Sequence, residues 1–514
     1  MVGPGQAHHR RHCGPGSRRM TSTAKPQGYR KRTASGLAWL LCGAIAGAVC
    51  RVGVLAVYAR LLAPSDFATM AVVGICVEFA TLFTTSGIVR TLILRDVISQ
   101  EQIRTVFTVS FSSAIVASLV LSAASPLIAT AFHIPLLVGV LCVSSLLFPI
   151  MAISGVSISL LERDHNFKQH TVSGMTSYIL GNVFVGIPLV LLGAGVWSLV
   201  VAQLVSAATL SIMLLRAQPH KMGFYFRRSI YLDLMRQGTG YSIQRFANLI
   251  ALKGAYFVTG SVLGPTSLGY YERANALVNI ANQVLGNSLA GVLFPAFSRI
   301  KDDRERQRQA FVRCLSATAM VFLPVSAVAC TLAPELVYLL LGPGWDNVVV
   351  PFQILSGCMF LRGASKVMNV VTDTSVSLYG GTAAQVVQAV GVVGGAYWSS
   401  RFGVVGVAIT TVLALFLSFL LLNYYACRAT AATALDVSKA VLPGLIVASV
   451  AAAVSWLIHM EFVRLGIHPI VSFIVGGGAA GIVVAIGVFV QRETLLPEGL
   501  LWPKKLLARK GGAA

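Results

Sequence analysis

The sequence has 514 residues, of which 56% are hydrophobic and 11% are charged, and its formal net charge is +22. A soluble domain carries roughly 25% charged residues, so this chain has too few charges to cover a soluble surface. The composition therefore excludes a soluble enzyme, a secreted disulfide scaffold and a disordered chain. It predicts an all-α, polytopic membrane protein.

The first 35 residues are rich in Gly, Pro, Arg and His, which is typical of a disordered basic cytoplasmic tail. Met20 is a candidate for the true start, which would leave a shorter basic leader ahead of the first apolar run. That run is too long for the apolar part of a signal peptide, which has roughly 7–15 residues. We therefore expect it to be an uncleaved helix.

A transmembrane helix needs about 20 mostly apolar residues, and the sequence contains about fourteen runs that meet this requirement. The runs are rich in Gly, Ala, Ser and Val, as is typical of membrane helices that pack closely. The predicted spans are 36–60, 67–93, 104–124, 134–161, 172–193, 196–215, 239–262, 270–297, 310–332, 348–371, 379–398, 404–427, 438–459 and 468–490.

Lys and Arg are concentrated in every second connection between these spans. The set of connections that includes both termini holds 27 basic residues, whereas the alternate set holds only Arg401 and Arg464. Because cytoplasmic connections are enriched in Lys and Arg, both termini are predicted to be cytoplasmic. Much of the positive charge therefore reports topology, and nucleic acid is not expected as a partner.

Two short segments 201 residues apart have similar sequences, LLAPSDFAT at 61–69 and VLGPTSLGY at 262–270. In both, a long predicted helix ends at a turn that contains Leu, a small residue and Pro. An even number of spans per repeat predicts two parallel six-helix lobes, as in parallel-repeat transporters. The predicted segments are a tail at 1–35, an N-terminal lobe at 36–215, a basic cytoplasmic linker at 216–238, a C-terminal lobe at 239–427, two appended helices within 438–490 and a basic tail at 491–514.

Several charged residues fall inside the predicted spans, where each charge costs roughly 2.5–3.5 kcal/mol. Two acids cannot neutralise six bases, so we expect the cations to line a hydrated cavity or to meet an anionic partner. For single residues the alternative is pairing, of Glu78 with Arg51 and of Glu272 with its neighbours. The six cations are Arg51, Arg245, Lys253, Arg273, Arg362 and Lys366.

Amide side chains extend this polar pattern along the eighth span. Asn275, Asn279 and Asn282 follow Glu272 at spacings of three and four residues, which places them on one helix face. Amides bind sugar hydroxyls and phosphate oxygens, although polar contact between helices is the alternative reading. The predicted substrate-binding residues are Arg51, Glu78, Arg245, Lys253, Arg273, Asn275, Asn279, Asn282, Arg362 and Lys366.

The sequence lacks GxxxxGK[ST], HExxH and GxSxG, the patterns of an ATP-binding loop, a zinc protease and a hydrolase nucleophile. No catalytic residue, metal site or cofactor is therefore predicted. The predicted outer connections are short, which leaves little room for the external loop of a glycan polymerase. A membrane enzyme of glycan assembly and a cation-coupled multidrug exporter stay as alternatives, although the exporter would need more buried carboxylates.

Three segments carry a family resemblance. They are RLLAPSDFATMAVV at 60–73, LLERDHNFKQ at 160–169 and, most specifically, YYERANALVNIANQVLGNSLAGVLFPAFSRIKDD at 270–303. In these segments the chain resembles the Wzx-like polysaccharide transporters, the lipopolysaccharide biosynthesis flippases of the multidrug/oligosaccharidyl-lipid/polysaccharide exporter superfamily. The motifs are structural rather than catalytic, so they identify the fold better than the cargo.

The resemblance implies two lobes around a central cavity lined by the first, second, seventh and eighth spans. It implies a cargo of isoprenoid-diphosphate-linked oligosaccharide, flipped across the bacterial inner membrane by alternating access for O-antigen, capsule or exopolysaccharide assembly. Arg51, Arg245 and Arg273 lie at positions similar to those of cavity arginines in related flippases. The implied partners are this lipid-linked oligosaccharide, membrane lipid, a polysaccharide polymerase and chain-length proteins.

Overall fold

The computed structural model describes residues 46–84, 98–164, 166–219, 223–229, 231–232, 242–299, 303–375, 378–466 and 468–491. The predicted start at Met20, the tail 1–35 and nearly all of the tail 491–514 lie outside these residues. The helices of the N-terminal part are α1 (46–61), α2 (Pro64–Thr84), α3 (Gln100–Phe132), α4 (Leu137–Ser144), α5 (Leu147–Arg163), α6 (Phe167–Tyr178), a π-helical segment (Ile179–Gly186), α7 (Ile187–Leu191) and α8 (Val196–Ala217).

The second part of the chain is also helical. Its elements are α9 (Ser242–Leu263), α10 (Pro265–Arg299), α11 (Arg304–Thr331), α12 (Ala333–Leu341), α13 (Asp346–Ser356), α14 (Cys358–Ser375), α15 (Leu378–Ser399), a 3-10 turn (Ser400–Phe402), α16 (Gly403–Thr430), α17 (Ala434–Arg464) and α18 (Pro469–Val490).

Eleven helical stretches among the described residues are long and apolar enough to cross a membrane. The described segments contain helices, turns and coil and no strand. These findings confirm an all-α, multi-pass membrane protein. The predicted edges were less accurate, because α3 begins four residues before the predicted 104–124 span and ends eight residues after it. Its start is fixed by a capping box in which the side chains of Ser99 and Gln102 bind each other's backbone N–H groups, a signal that hydropathy ignores.

Two predicted spans are each divided into two helices. The span predicted at 134–161 consists of α4 and α5, separated by a turn at Ser145, whose hydroxyl donates to Cys142 O at 2.7 Å and accepts from Ser118 at 2.8 Å. The span predicted at 348–371 consists of α13 and α14, separated at Gly357. Hydropathy does not detect these breaks, because the stretches 137–163 and 346–372 each remain apolar enough to be one membrane span.

The connection predicted at 333–347 contains an unpredicted helix, α12. Proline in its first turn favours a helix start, and Gly342 ends it with a φ of +88°, a conformation that other residues adopt at a steric cost. Gly344 has the same φ. The chain therefore passes from α11 to α13 through a compact helix and two glycine turns rather than through an irregular loop.

We refer to α1–α8 as the N-terminal lobe and to α9–α16 as the C-terminal lobe. Within the N-terminal lobe α3 packs on α4 and α5, and α5 packs on α8. Within the C-terminal lobe α9 packs on α15, and α14 packs on α10 and α16. α17 lies along α11, and α18 lies on α17. The predicted residue limits of the lobes and of the linker stay predictions.

The two lobes meet where α2 contacts α9 and α10. Gly269, in the first turns of α10, lies so close to α2 that a Cβ atom there would be 2.1 Å from the carbonyl oxygen of Pro64. Small residues permit such close approach of membrane helices. Gly269 therefore sets the distance between the lobes at this end of the molecule.

Candidate substrate-binding site

An ion pair joins the two lobes where α2 faces α9. The Oε1 atom of Glu78 lies 3.0 Å from the Nζ atom of Lys253. The side chain of Glu78 is 47% exposed and that of Lys253 is 24% exposed. On the same two helices, the rings of Phe79 and Phe246 make an edge contact at 6.2 Å. The pair therefore lies at the edge of the contact between lobes, open to the space beside it.

The cation that pairs with Glu78 at 3.0 Å is Lys253 of the other lobe, whereas pairing with Arg51 was the expected alternative. Arg51 lies on the exposed side of α1, and its guanidinium carbon is 5.7 Å from the ring centroid of Tyr178 on α6. The Nζ atom of Lys253 is 5.2 Å from the ring centroid of Tyr256. Both cations thus contact aromatic faces, which attract positive charge.

Arg273 is held in the contact between lobes. Its guanidinium binds the carboxylate of the adjacent Glu272, one of the neighbour pairings expected for that acid. The guanidinium carbon also lies 4.0 Å above the ring of Phe67 on α2. The side chains of Arg273 and Glu272 are only 11% and 17% exposed. The charge of Arg273 is therefore neutralised by Glu272, and its side chain packs α10 against α2 through Phe67.

Arg362 binds two of the predicted amides directly. Its Nη1 donates to Asn279 Oδ1 at 2.7 Å, and its Nη2 donates to Asn275 Oδ1 at 3.0 Å. Asn275 is buried and donates through Nδ2 to the hydroxyl of Tyr256. This network joins α14, α10 and α9. The amide stripe thus makes the contacts between helices that the alternative reading of the sequence described, and a ligand would have to compete with them.

Buried acceptors lie on α10, α14 and the neighbouring α15. The oxygens Oδ1 of Asn282, Oδ1 of Asn369 and Oε1 of Gln385 have no hydrogen-bond partner within the described part of the chain. The Nδ2 atom of Asn282 donates to Val278 O at 3.2 Å. Lys366 is half-buried one turn after Arg362 on α14. Because an unsatisfied buried acceptor costs about 1–3 kcal/mol, this polar interior of the C-terminal lobe favours water or a polar ligand.

Arg245 belongs to the first turn of α9, but its side chain lies outside the described residues. Its assignment to the site stays a prediction, as do the assignments of the other nine residues. Among the described residues there is no group of three or more His, Cys, Asp or Glu that could hold a metal ion.

Sequence reasoning missed a second polar cluster, centred on Glu335 of α12. The carboxylate is 3% exposed and contacts the Nδ1 atom of His459. The hydroxyl of Ser472 donates to its Oε1 at 3.1 Å. The sequence carries a signal here, because Glu335 is an acid within the apolar segment APELVYLLL at 333–341. It was overlooked because the segment was interpreted as a connection.

A family model described as "Polysaccharide biosynthesis protein" matches residues 57–350, which is more than half of the chain. The chain belongs to this family. It is 31% identical over 289 residues to the "Succinoglycan biosynthesis transport protein ExoT" of Rhizobium meliloti (strain 1021), a match that covers 56% of this chain and 58% of that protein. The matched part is thus less than two thirds of that relative's length.

The chain is also 23% identical to the "Lipopolysaccharide biosynthesis protein WzxC" of Escherichia coli (strain K12), over 65% of this chain and 68% of that protein. These matches confirm the resemblance to polysaccharide transporters. ExoT is named as a transport protein, in agreement with the prediction of a transporter rather than an enzyme.

Two solved structures show the same fold at low identity. "Lipid II flippase MurJ, inward closed conformation" has a TM-score of 0.73 at 14% identity and covers 88% of this chain and 99% of its own. An inward-facing multidrug resistance MATE family transporter of the MOP superfamily has a TM-score of 0.56 at 18% identity and covers 74% of this chain and 96% of its own. The fold is therefore that of the superfamily to which the sequence motifs pointed.

Proposed function

We propose that this protein is a flippase that moves isoprenoid-diphosphate-linked oligosaccharide repeat units across the bacterial inner membrane for surface polysaccharide assembly. The cargo would move by alternating access between the lobes, with both termini of the chain in the cytoplasm. The observation that carries this proposal is the exposed ion pair of Glu78 and Lys253 between the lobes, with Arg51 exposed on α1.

Exposed charges in membrane-spanning helices favour a water-filled space over contact with lipid, because charge in hydrocarbon is costly. The charges of Glu78 and Lys253 balance each other. In this proposal Arg51 and Arg245 also face the space and give it a net positive charge. A diphosphate group carries about two negative charges, which cations that face this space can neutralise through charge-assisted hydrogen bonds.

The pairing of the acids argues against a cation-coupled multidrug exporter. Such a protein needs carboxylates that are free to bind protons or cationic drugs. Glu78 is already paired with Lys253, and Glu272 with Arg273. The two acids identified within the predicted spans are thus paired, and neither is free for such a role.

The test is a strain that lacks this protein, with its prenyl-diphosphate lipids extracted and its surface polysaccharide measured. We expect a lipid-linked oligosaccharide to accumulate on the cytoplasmic side while surface polysaccharide falls. Loss of surface polysaccharide without accumulation would instead indicate an enzyme of glycan assembly. If neither quantity changes, the flippase proposal is wrong, and efflux of amphiphilic cations becomes the next measurement.

A further inference from the structure

The lobes are also joined at the end of the molecule where α1 ends and α2 begins. The indole Nε1 of Trp345 donates to Ala59 O at 3.0 Å, and Nη2 of Arg60 donates to Leu339 O at 3.0 Å. Ala59 and Arg60 belong to the last turn of α1, whereas Leu339 belongs to α12 and Trp345 follows it. Two hydrogen bonds therefore hold α12 and the turn after it against the end of α1.

Aromatic contacts surround these hydrogen bonds. The ring of Trp345 makes edge contacts with Phe67 of α2 at 5.7 Å and with Tyr270 of α10 at 6.2 Å. Trp345 is 4% exposed and Phe67 is 3% exposed. Phe67 also contacts Arg273, whose guanidinium carbon lies 4.0 Å from the centroid of the Phe67 ring. A single buried indole thus touches the starts of both helices that follow the repeated turns.

The backbone around α12 is shaped to accept Arg60. Gly342 has a φ of +88°, and a Cβ atom there would lie 3.2 Å from Cγ of Arg60. A side chain at this position would therefore be strained and would also crowd the arginine. The positive φ favours glycine here, and the close contact with Arg60 adds to this preference.

α12 is also fixed to the appended helices. Glu335 lies one helical turn before Leu339, and its buried carboxylate binds His459 of α17 and Ser472 of α18. The ring of Tyr338 also makes an edge contact with His468 at 6.0 Å. α12 is therefore held both by α17 and α18 and by the end of α1.

We propose that α12 and Trp345 form a latch that closes the outer side of the protein between the two lobes, and that Glu335, His459 and Ser472 anchor this latch. Release of Ala59 and Arg60 would let the lobes separate on that side. The latch rests on the proposed function in one respect, since a cargo leaving on the outer side requires such an opening. Glu335 and its partners are positioning residues, and they give α17 and α18 a role in closure.

A distance measurement tests the latch without any cargo. The full-length protein would carry two spin labels in a lipid bilayer, at L136C and F402C, after replacement of its native cysteines. Leu136 and Phe402 are 49% and 63% exposed and belong to the connections α3–α4 and α15–α16, away from the latch. We expect the unmodified latch to give mainly the shorter of two label separations.

Trp345→Phe keeps an aromatic ring but removes the donor to Ala59, and Arg60→Ala removes the donor to Leu339. Each is expected to raise the fraction of the longer separation several-fold. Glu335→Ala should do the same through α12, and Glu335→Gln should restore part of the closure because it keeps an oxygen that accepts from Ser472. A merely structural role for Glu335 would lower stability without changing the separation.

Matched controls are available on exposed surfaces of α17. Trp456→Phe, Arg464→Ala and Glu461→Ala make comparable changes at exposed side chains. They should leave the separation unchanged. Equal shifts in the controls, or no shift in folded Trp345→Phe and Arg60→Ala proteins, would overturn the latch. If the latch variants do open but deletion of the protein leaves lipid-linked glycans unaltered, the latch stands and the proposed cargo fails.

Discussion

The two repeated turns of this protein have similar sequences but contribute to the contact between lobes in different ways. The turn before α2 supplies side chains, because Arg60 and Phe67 reach across to the C-terminal lobe. The turn before α10 supplies space instead, through Gly264 with a φ of +86° and Gly269 against the backbone of Pro64. The difference shows that two copies of a motif can start a helix in the same way while the residues beside them make different contacts.

Residues related by the 201-residue offset show this specialisation directly. Arg60 corresponds to Ser261, whose hydroxyl binds Phe257 O in its own helix at 2.8 Å. Gly269 corresponds to Ala68, which is fully buried. The connections that are predicted to be outer differ as well. The helices α3 and α4 are joined through His133 and the short turn that follows, whereas α11 and α13 are joined through α12. The contact between lobes thus combines residues of the repeated segments, such as Pro64 and Gly269, with α12 and Trp345, which are not repeated.

The largest effect should come from filling the space at Gly269. Gly269→Ala would place a methyl group 2.1 Å from Pro64 O, and backbone atoms cannot move aside as a side chain could. We expect surface polysaccharide to be lost and the thermal midpoint to fall, since overpacking costs about 1–3 kcal/mol or more. Gly74→Ala on α2 is the control, because nothing lies within 4 Å of its added Cβ. Equal behaviour of the two variants would mean that the close approach is not essential.

The next effect concerns the ion pair that joins the two lobes. Lys253→Ala should lower export about tenfold or more, which corresponds to about 1.4 kcal/mol or more, because it removes a proposed counter-charge for diphosphate. Export is read from surface polysaccharide at matched protein levels. Lys439→Ala, at an exposed position of α17, is the control for loss of a lysine.

A second substitution separates pairing from binding. Adding Glu78→Gln to Lys253→Ala removes the unpaired carboxylate and should recover stability, whereas export should stay low. Recovery of export in the double variant would show that the lysine serves only Glu78. Arg51→Ala alone should lower export as well, without a loss of inserted protein.

A smaller effect on stability is expected in the C-terminal lobe. Arg362→Ala leaves the oxygens of Asn275 and Asn279 without their donor and should destabilise the protein by about 1–3 kcal/mol. Unfolding in detergent measures this change, and Arg401→Ala on an exposed turn is the control. A stability equal to that of the control would show that the hydrogen bonds of Arg362 to Asn275 and Asn279 do not stabilise the protein.

The smallest effect comes from making the first turn resemble the second. Arg60→Ser introduces the residue found at the related position 261 and removes the hydrogen bond to Leu339. We expect export to fall a few-fold, since one such bond contributes about 0.5–1.5 kcal/mol. Ser261→Ala should leave export unchanged, because Ser261 bonds within its own helix. A full loss of export in Arg60→Ser would indicate a larger role for this arginine than the latch requires.

Much of the fold could be predicted from the sequence, because a bilayer requires long apolar helices and basic cytoplasmic connections. The turns at Ser145 and Gly357 could not, since each lies within a stretch whose mean hydropathy is that of a single membrane span. The same limit applies to α12, which is shorter than a membrane span.

The sequence reveals which charged residues fall inside the predicted spans, but it does not reveal which residues they pair with. Pairing depends on how each helix is rotated, and a single sequence does not give the rotation of α2 relative to α9. The choice of Lys253 rather than Arg51 for Glu78 is therefore a tertiary property. The burial of Glu335 was not predicted for a different reason, because a carboxylate in a predicted outer connection is expected to be solvated.

The length of α10 has a mechanical consequence. Its 35 residues run without a break from Pro265 to Arg299, which makes the helix about 52 Å long at 1.5 Å per residue, well beyond the ~30 Å of a hydrocarbon core. One end holds Gly269 against Pro64, and its first half carries the amides that bind Arg362. If α10 tilted by about 10° as a rigid body around its first end, its other end would move by roughly 9 Å. A change in the contact between Gly269 and Pro64 would then move the far end of the same helix, at the opposite face of the membrane.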